Sequence, residues 1–235
     1  MLRRAPWMLF LALSLPLAAA AAPDDSLWAK AVEAASRAKE WSPGEMRLAI
    51  EMADDRGKVL ETWDNQYRLS TGADGAVRTE VVSAIHNGKD ETQKEREAQA
   101  RRDRDARTND APPVSGFGDD PFDPSVQGSL EIHRLDGTRA IAGMTCVGFA
   151  FILSKHAGAS VEGNAWLDAA TGLPVEVVSS PNPLPRGAHE IATVVRYTRG
   201  LVSEVLVEGS GSLLFFKRRF SSVVTLSGWF RKPGG

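Results

Sequence analysis

The segment Thr145-Cys-Val-Gly-Phe-Ala-Phe-Ile-Leu-Ser154 carries the clearest strand pattern of this sequence. Successive side chains of a strand point to opposite faces. One face of the segment is wholly hydrophobic and carries Val147, Phe149, Phe151 and Leu153. The other face is also small or apolar and carries Cys146, Gly148, Ala150 and Ile152. A strand that is dry on both faces is either a central strand with another layer packed on each side, or part of a curved sheet that encloses an apolar cavity.

Similar short strands recur around this segment. Turn-like residues separate them, among them Asp136-Gly137, residues 168–172 and residues 208–211. We predict eight strands in this region: 129–135, 145–154, 160–168, 173–179, 191–199, 201–208, 212–220 and 223–230.

The preceding region predicts a helix followed by a three-stranded meander. Ser26 is a suitable N-cap for a helix that runs to about Glu40. Trp28, Val32 and Ala35 share one face of that helix. The meander strands are predicted at 46–52, 58–70 and 76–85, where apolar residues alternate with polar ones: Met46, Leu48, Ile50, Val81 and Ile85.

The order of elements predicts the fold class. A helix, three strands, a second helix and eight strands do not alternate as βαβ units do. We therefore expect a mainly β protein with helices (α+β). Its large curved antiparallel sheet, a half-barrel of about eleven strands, would be covered by one or two helices.

Residues 90–128 interrupt this pattern. Acidic and basic residues follow one another from Asp90 to Arg107 without apolar periodicity, which predicts a solvated helix capped by Asp90 with Gln93 three residues later. Residues 109–128 contain four prolines and three glycines and predict a loop more mobile than the strands around it. We interpret 23–235 as a single domain that carries this charged helix and Pro-rich loop as an insertion.

The first 22 residues have the pattern of a signal peptide. Arg3 and Arg4 precede an apolar run up to Leu17, and small residues follow before Pro23. The run is shorter than the about 20 residues that a membrane span needs, and no lipid-acceptor cysteine lies near it. We expect a soluble periplasmic or secreted protein with no integral membrane segment after cleavage.

Composition and motifs favour a binding protein over an enzyme. The net charge of −2 argues against nucleic acid as a partner. The single cysteine, Cys146, sits in an apolar strand and is expected to be a buried packing residue, and its isolation fits a bacterial envelope protein. No nucleophile and base pair, metal motif or cofactor motif stands out, so we predict no catalytic residue, no metal and no cofactor. The tryptophans, including Trp41 and Trp229, either line a pocket or pack in a core.

Two segments carry a family resemblance. They are Val81-Val-Ser-Ala-Ile-His-Asn-Gly-Lys-Asp90 and Ala165-Trp-Leu-Asp-Ala-Ala-Thr-Gly-Leu-Pro174. Together with the helix that follows the leader, they resemble the periplasmic lipoprotein-sorting carriers of the LolA/LolB-like superfamily. That resemblance implies a half-barrel that holds lipid acyl chains under helices. The Arg-Pro pair of these carriers is absent beside Arg47, so their latch residue is not transferred and the chain is placed as a distant relative.

Two functions follow from these observations. The first is an exported non-enzymatic binding protein that holds a lipid, an acyl chain or a lipoprotein in an apolar cavity. The alternative is a structural or signalling envelope module that binds a protein partner through residues 90–128. An open apolar pocket favours the first and a filled core the second. The predicted cavity wall consists of Trp28, Val32, Met46, Leu48, Ile50, Trp63, Val81 and Ile85.

Overall fold

The computed structural model describes residues 26–72, 77–108, 120–213 and 216–232. Its helices are α1 (Ser26–Ala38) and α2 (Thr92–Thr108), with short 3-10 turns at Pro124–Ser129 and His156–Gly158. Its strands are β1 (Trp41–Ser42), β2 (Glu45–Asp54), β3 (Val59–Thr71), β4 (Val77–His86), β5 (Lys89–Asp90), β6 (Leu130–Ile141), β7 (Met144–Ser154), β8 (Ser160–Asp168), β9 (Pro174–Asn182), β10 (Ala188–Thr198), β11 (Leu201–Leu213), β12 (Phe216–Ser227) and β13 (Phe230–Arg231).

Eleven of these strands form one open antiparallel sheet. Its order is β5-β4-β3-β2-β12-β11-β10-β9-β8-β7-β6, so β5 and β6 are the edges and do not pair with each other. Strand β12, the last strand of this sheet along the sequence, pairs with β2 and thereby joins the meander to the rest of the sheet. β1 and β13 form a separate two-stranded sheet. The predicted α+β fold class, with an open antiparallel sheet of about eleven strands, is confirmed.

Two predicted turns are wrong because glycine serves another purpose there. Residues 208–211 continue β11, and a Cβ atom at Gly209 would lie 2.5 Å from the Phe220 ring on β12. Glycine at this position therefore leaves room for a cross-strand ring. As a result, the two strands predicted at 212–220 and 223–230 are replaced by the end of β11 and by the single strand β12.

The second wrong turn, Asp136-Gly137, is a β-bulge inside β6. The register with β7 shifts between Arg134 and Thr138, and Gly137 has a φ of 78°. The chain reverses farther on, at Ala142-Gly143, where both residues have positive φ. Asp-Gly suits a bulge as well as a hairpin, because both need the left-handed backbone region.

One face of the sheet is an apolar row that crosses nine strands. Paired residues of antiparallel strands share a face, so the pairing register defines the row directly. Its members are Phe149, Ala165, Val177, Val195, Val205, Val224, Leu48, Asn65 and Ala84. Helix α1 covers the β7 end, and α2 contacts the β4 end. Asn65 is the polar member, and its side-chain amide donates to the Tyr67 hydroxyl at 3.1 Å.

Two nearby side chains, those of Trp166 and Arg139, shield part of the opposite face of β7 from water. The Trp166 ring lies over Gly148, where a Cβ atom would be 2.8 Å from it, and the Arg139 guanidinium lies 5.5 Å from the centre of that ring. Farther along the same face Ile152 is 38% exposed. Among the described residues, one tryptophan and one arginine shield this part of the face, which does not match the first of the two alternatives, a further layer packed on each side of the strand. Cys146 is fully buried there, and burial raises the pKa of its thiol.

The second half of the predicted mobile loop packs into the core. Phe122 is fully buried against Trp28 of α1, with ring centres 4.9 Å apart. The Trp28 indole donates to the Gln127 side chain at 3.0 Å, and Asp123 caps the 3-10 turn by accepting from the Ser125 backbone. Residues 120–128 are thus an anchored segment and not a free loop. The first half of the predicted loop, 109–119, lies outside the described residues.

Candidate ligand-binding groove

A groove opens over the apolar face of the sheet beside the C-terminal half of α1. It consists of two adjoining cavities of about 950 Å³ and about 810 Å³. Five residues line both cavities: Ala38, Trp41, Gly200, Leu201 and Trp229. We call the larger the inner cavity, the smaller the outer cavity, and the pair the Trp41–Trp229 groove.

The inner cavity lies between the two helices. Ala35 of α1 lines one side, and Asp103 of α2 contributes to the lining from the other. Leu69, Val77 and Val202 add apolar surface from β3, β4 and β11. Val77 is 57% exposed although it is hydrophobic, because no side chain of the described protein fills this space.

The outer cavity shares the two tryptophans with the inner cavity. Ala34, Leu173 and Leu226 provide its apolar wall, and Arg37 and Arg199 lie at its rim. Each of the two cavities has a volume within the range of small-molecule sites, which is about 300 to 1,000 Å³.

Two tight turns hold α1 above this groove. Gly172 of the β8–β9 turn has a φ of 76° and lies under Lys30, where a Cβ atom would be 2.9 Å from that side chain. Asp168 fixes the turn by accepting from the Thr171 hydroxyl at 2.6 Å. Gly200 of the β10–β11 turn has a φ of 78° and passes under Ala34. The Trp-Leu-Asp-Ala-Ala-Thr-Gly-Leu-Pro segment therefore positions the helix that borders the groove.

The two tryptophans are held by the pairing of β1 with β13. Trp41 pairs with Arg231, and the Arg231 guanidinium donates to the Glu40 carboxylate at 2.8 Å. Gly44 permits this crossing, because a Cβ atom there would lie 2.7 Å from the Gly228 carbonyl oxygen. The C-terminal residues therefore build one wall of the groove.

A half-buried carboxyl group, that of Asp120, lines the inner cavity. Burial raises the pKa of Asp120, against the opposing effect of the Phe122 backbone N–H, which donates to this carboxyl at 2.9 Å. Tyr197 lines the same cavity. Burial, with a further contribution from the Asp120 charge, raises the pKa of this phenol above its ordinary value of 10.0. Lys39 sits nearby and pairs with Asp123 at 3.2 Å.

The described residues contain no group of three or more His, Cys, Asp or Glu side chains arranged to hold a metal ion. Within the same ranges, no helix has both the length and the apolar character that a membrane span requires.

The eight residues predicted for the cavity wall lie elsewhere in the structure. Trp28 and Val32 pack in the core under the first half of α1. Met46, Leu48 and Val81 belong to a second core with Tyr67 and Ala84. The remaining three lie on the meander, where Ile50 pairs with Trp63, Trp63 stacks on His86 at 4.9 Å, and Ile85 pairs with Asp64. None of the eight is among the residues that line the two cavities of the groove.

The lining residues that the pattern missed come from separate elements. Trp41 follows α1, Leu201 begins β11 and Trp229 precedes β13. The available signal was the pair of tryptophans beside short elements, Trp41 in the two-residue strand β1 and Trp229 directly before β13. Ala35, one turn beyond the Trp28 and Val32 positions on α1, does line the inner cavity.

Comparisons with known proteins give only distant similarity. No family model matches the chain, and no curated protein matches it. A LolA superfamily protein from Nitrosomonas europaea is 9% identical, with 88% of this chain and 94% of that chain covered and a TM-score of 0.37. A DUF1329 family protein from Desulfovibrio piger is 12% identical, with 92% of this chain and 95% of that chain covered and a TM-score of 0.36. The Pseudomonas aeruginosa MucA/MucB complex is 11% identical, with 89% of this chain and 100% of that chain covered and a TM-score of 0.26. At these identities and TM-scores, the likeness assigns neither a family nor a function to this chain.

Proposed function

We propose that this protein is an exported, non-enzymatic binding protein that holds a lipid or another acyl-chain ligand in the Trp41–Trp229 groove. The observation that carries the proposal is the groove itself: two adjoining cavities of about 950 Å³ and about 810 Å³ with mainly apolar walls. Trp41 is 39% exposed at the junction of the two cavities. A flexible hydrocarbon chain fits such a space, because its recognition needs apolar contact more than directed hydrogen bonds.

The expected affinity follows from the hydrocarbon that becomes buried. Each methylene contributes about 0.8 kcal/mol, so about ten buried methylenes supply about 8 kcal/mol before the cost of ordering the chain. That sum corresponds to a dissociation constant of about 1 µM or weaker. We therefore expect reversible binding, which suits delivery of a ligand and not permanent storage.

The proposed address of the protein is the periplasm or the exterior of the cell. Its support is the leader pattern of residues 1–22, where Arg3 and Arg4 precede the apolar run and small residues follow it.

A protein partner is the second candidate function. Helix α2 favours it, because none of its residues from Thr92 to Arg104 is buried and most are charged. An envelope protein that binds this charged surface would leave the groove open to its ligand, so the two functions are separable by mutation.

Leu201→Glu tests the groove, since Leu201 lines both cavities. We expect binding of a dansyl-labelled fatty acid to weaken at least about tenfold, because a carboxylate placed against hydrocarbon costs more than about 1.4 kcal/mol. Ala38→Trp should have a similar effect by filling the space without adding a charge. Fluorescence titration measures both.

Val59→Glu is the matched control, because Val59 is 45% exposed on β3 and lines neither cavity. It should bind the fatty acid as the unmutated protein does. Unchanged binding by both groove variants, with melting temperatures close to that of the unmutated protein, would contradict the proposed site.

A further inference from the structure

The outer cavity carries charge of one sign. Arg37 and Arg199 are the charged residues among the described side chains that line it, and no acidic side chain of that part of the chain joins them. The inner cavity differs, because Asp103 and Asp120 accompany Lys39 and Lys232 there. The charged side chains that line the outer cavity are therefore both cationic, whereas those of the inner cavity carry both signs.

The two arginines lie at the same rim. Arg199 directly precedes Gly200, at which a Cβ atom would lie 3.7 Å from the Cβ atom of Ala34. Arg37 follows Ala34 by one helical turn on α1, so its side chain leaves the helix on the same side as Ala34. The β10–β11 turn and the end of α1 thus bring two exposed arginines into the lining of one apolar cavity.

Neither arginine is committed to a strong internal partner. Arg37 pairs with Glu33 at 3.3 Å, but both side chains are 64% exposed, and such surface pairs contribute little. Arg199 is exposed, and within the described ranges it forms no hydrogen bond or ion pair. Both guanidinium groups are therefore available to a ligand.

The backbone at Arg199 has the conformation of a two-residue hairpin turn. Arg199 and Gly200 have φ values of 55° and 78°, and Thr198 pairs with Leu201 across the turn. Both central residues of such a hairpin need a positive φ, and Ala142-Gly143 shows the same combination. The turn therefore determines where the Arg199 side chain leaves the backbone, beside the outer cavity.

We propose that the outer cavity binds the anionic head group of a single-chain amphiphile, with Arg37 and Arg199 on either side of it. The inference rests on the proposed function and specifies its ligand class. The acyl tail runs from this rim toward Trp41 and Trp229 into the apolar part of the groove. Guanidinium groups suit this task, because their planar N–H donors match the oxygen atoms of a carboxylate or phosphate and stay charged at all ordinary pH values.

Decanoate and decanol test the proposal, since they share a tail and differ in head-group charge. Both compete with Nile red, a neutral apolar dye, in a fluorescence displacement assay at low salt. We expect the unmutated protein to bind decanoate about tenfold more tightly than decanol. The reason is that the decanoate carboxylate forms two partly exposed charge-assisted contacts, one with each arginine, which the decanol hydroxyl lacks. This preference should shrink as salt is added, because exposed charges are screened.

The double variant R37Q/R199Q should lose the preference and keep the affinity for decanol. The matched control is R56Q/R186Q, which removes two exposed arginines that line neither cavity and should retain the preference. Equal affinity of the unmutated protein for both compounds, or a preference that survives in R37Q/R199Q, would overturn the head-group site while the groove stands. If neither compound binds, the proposed binding of acyl chains in the Trp41–Trp229 groove is overturned as well.

Discussion

Individual side chains determine where the core is filled and where it is open. On α1, Trp28 fills the space above Phe149, with ring centres 5.4 Å apart. The later positions Ala34, Ala35 and Ala38 are small and leave room beneath the same helix. The groove thus arises because one helix has a large residue near its start and alanines near its end.

Asp120 gives a prediction at this scale. Burial raises its pKa above the ordinary value of 3.8, so the folded protein favours the protonated carboxyl. The protonated Asp120 carboxyl therefore gives the folded state a stabilisation that is fully present below about pH 3.8. This stabilisation is lost as the pH rises through the raised pKa. We expect the unfolding free energy of the unmutated protein, relative to Asp120→Asn, to fall as the pH increases across this window. Urea unfolding at a series of pH values measures the difference.

Asn keeps an acceptor for the Phe122 backbone N–H, so the comparison isolates the charge. Asp136→Asn, at the exposed bulge of β6, is the control variant. The prediction is contradicted when the unfolding free energy of the unmutated protein, relative to Asp120→Asn, stays constant or rises as the pH rises. Such a result would show that the Asp120 carboxyl is not desolvated.

At the scale of elements, the two helices are attached in different ways. α1 rests on an apolar core in which Ala31 and Phe122 are fully buried. α2 has no buried residue between Thr92 and Arg104 and is attached through polar contacts. Arg96 donates to the Val81 carbonyl oxygen at 3.0 Å, and the Thr92 hydroxyl accepts from the Ala84 backbone N–H at 3.0 Å. One helix is therefore part of the core, and the other lies on its surface.

Arg96→Met should loosen α2 without unfolding the sheet. The variant loses a charge-assisted hydrogen bond to the β4 backbone, which is worth about 1 kcal/mol at a partly exposed site and corresponds to about fivefold faster amide exchange. Hydrogen exchange should show this increase in α2 and no change in α1. Arg101→Met, an exposed arginine of the same helix, is the matched control. An equal increase in the amide exchange rates of both helices would mean that α2 unfolds together with the core as one cooperative unit.

The elements with regular alternation were predictable, whereas the ends of β6 and β11 were not, because each of these strands continues past a glycine that resembles a turn residue. α1, β2, β4 and β7 begin within one residue of their predicted positions, because apolar residues recur with the expected period. The segments around Gly137 and Gly209 predict turns, whereas the first glycine makes a bulge and the second accommodates Phe220. A glycine permits several backbone or packing solutions, and the local sequence does not distinguish them.

The groove was harder to predict than the fold. Trp41, Leu69 and Trp229 meet there only because β12 pairs with β2 and β13 pairs with β1. Such long-range pairing leaves no trace in local periodicity. The predicted wall residues lie on correctly predicted strands and helices, but the register and the two cores place them away from the opening.

At the scale of the whole molecule, one continuous apolar face is covered from its two ends. α1 and residues 120–129 cover the β6–β10 part, and α2 contacts β4. The central strands β11, β12 and β2 lie between these two covered parts. The Trp41–Trp229 groove lies where the coverage from the two ends fails to meet, and this gap is the physical basis of the proposed function.

Photocrosslinking tests this central claim most directly. Palmitic acid that carries a diazirine in its chain is bound to the purified protein and illuminated, and mass spectrometry then locates the modified residues. The account predicts modification within residues 34–41, at residues 200–202 and at Trp229, where the two cavities meet, and suppression of this labelling by excess unlabelled palmitate. Labelling confined to exposed apolar residues outside the groove, such as Val59, Leu60 and Ile152, or labelling that palmitate does not suppress, would contradict it.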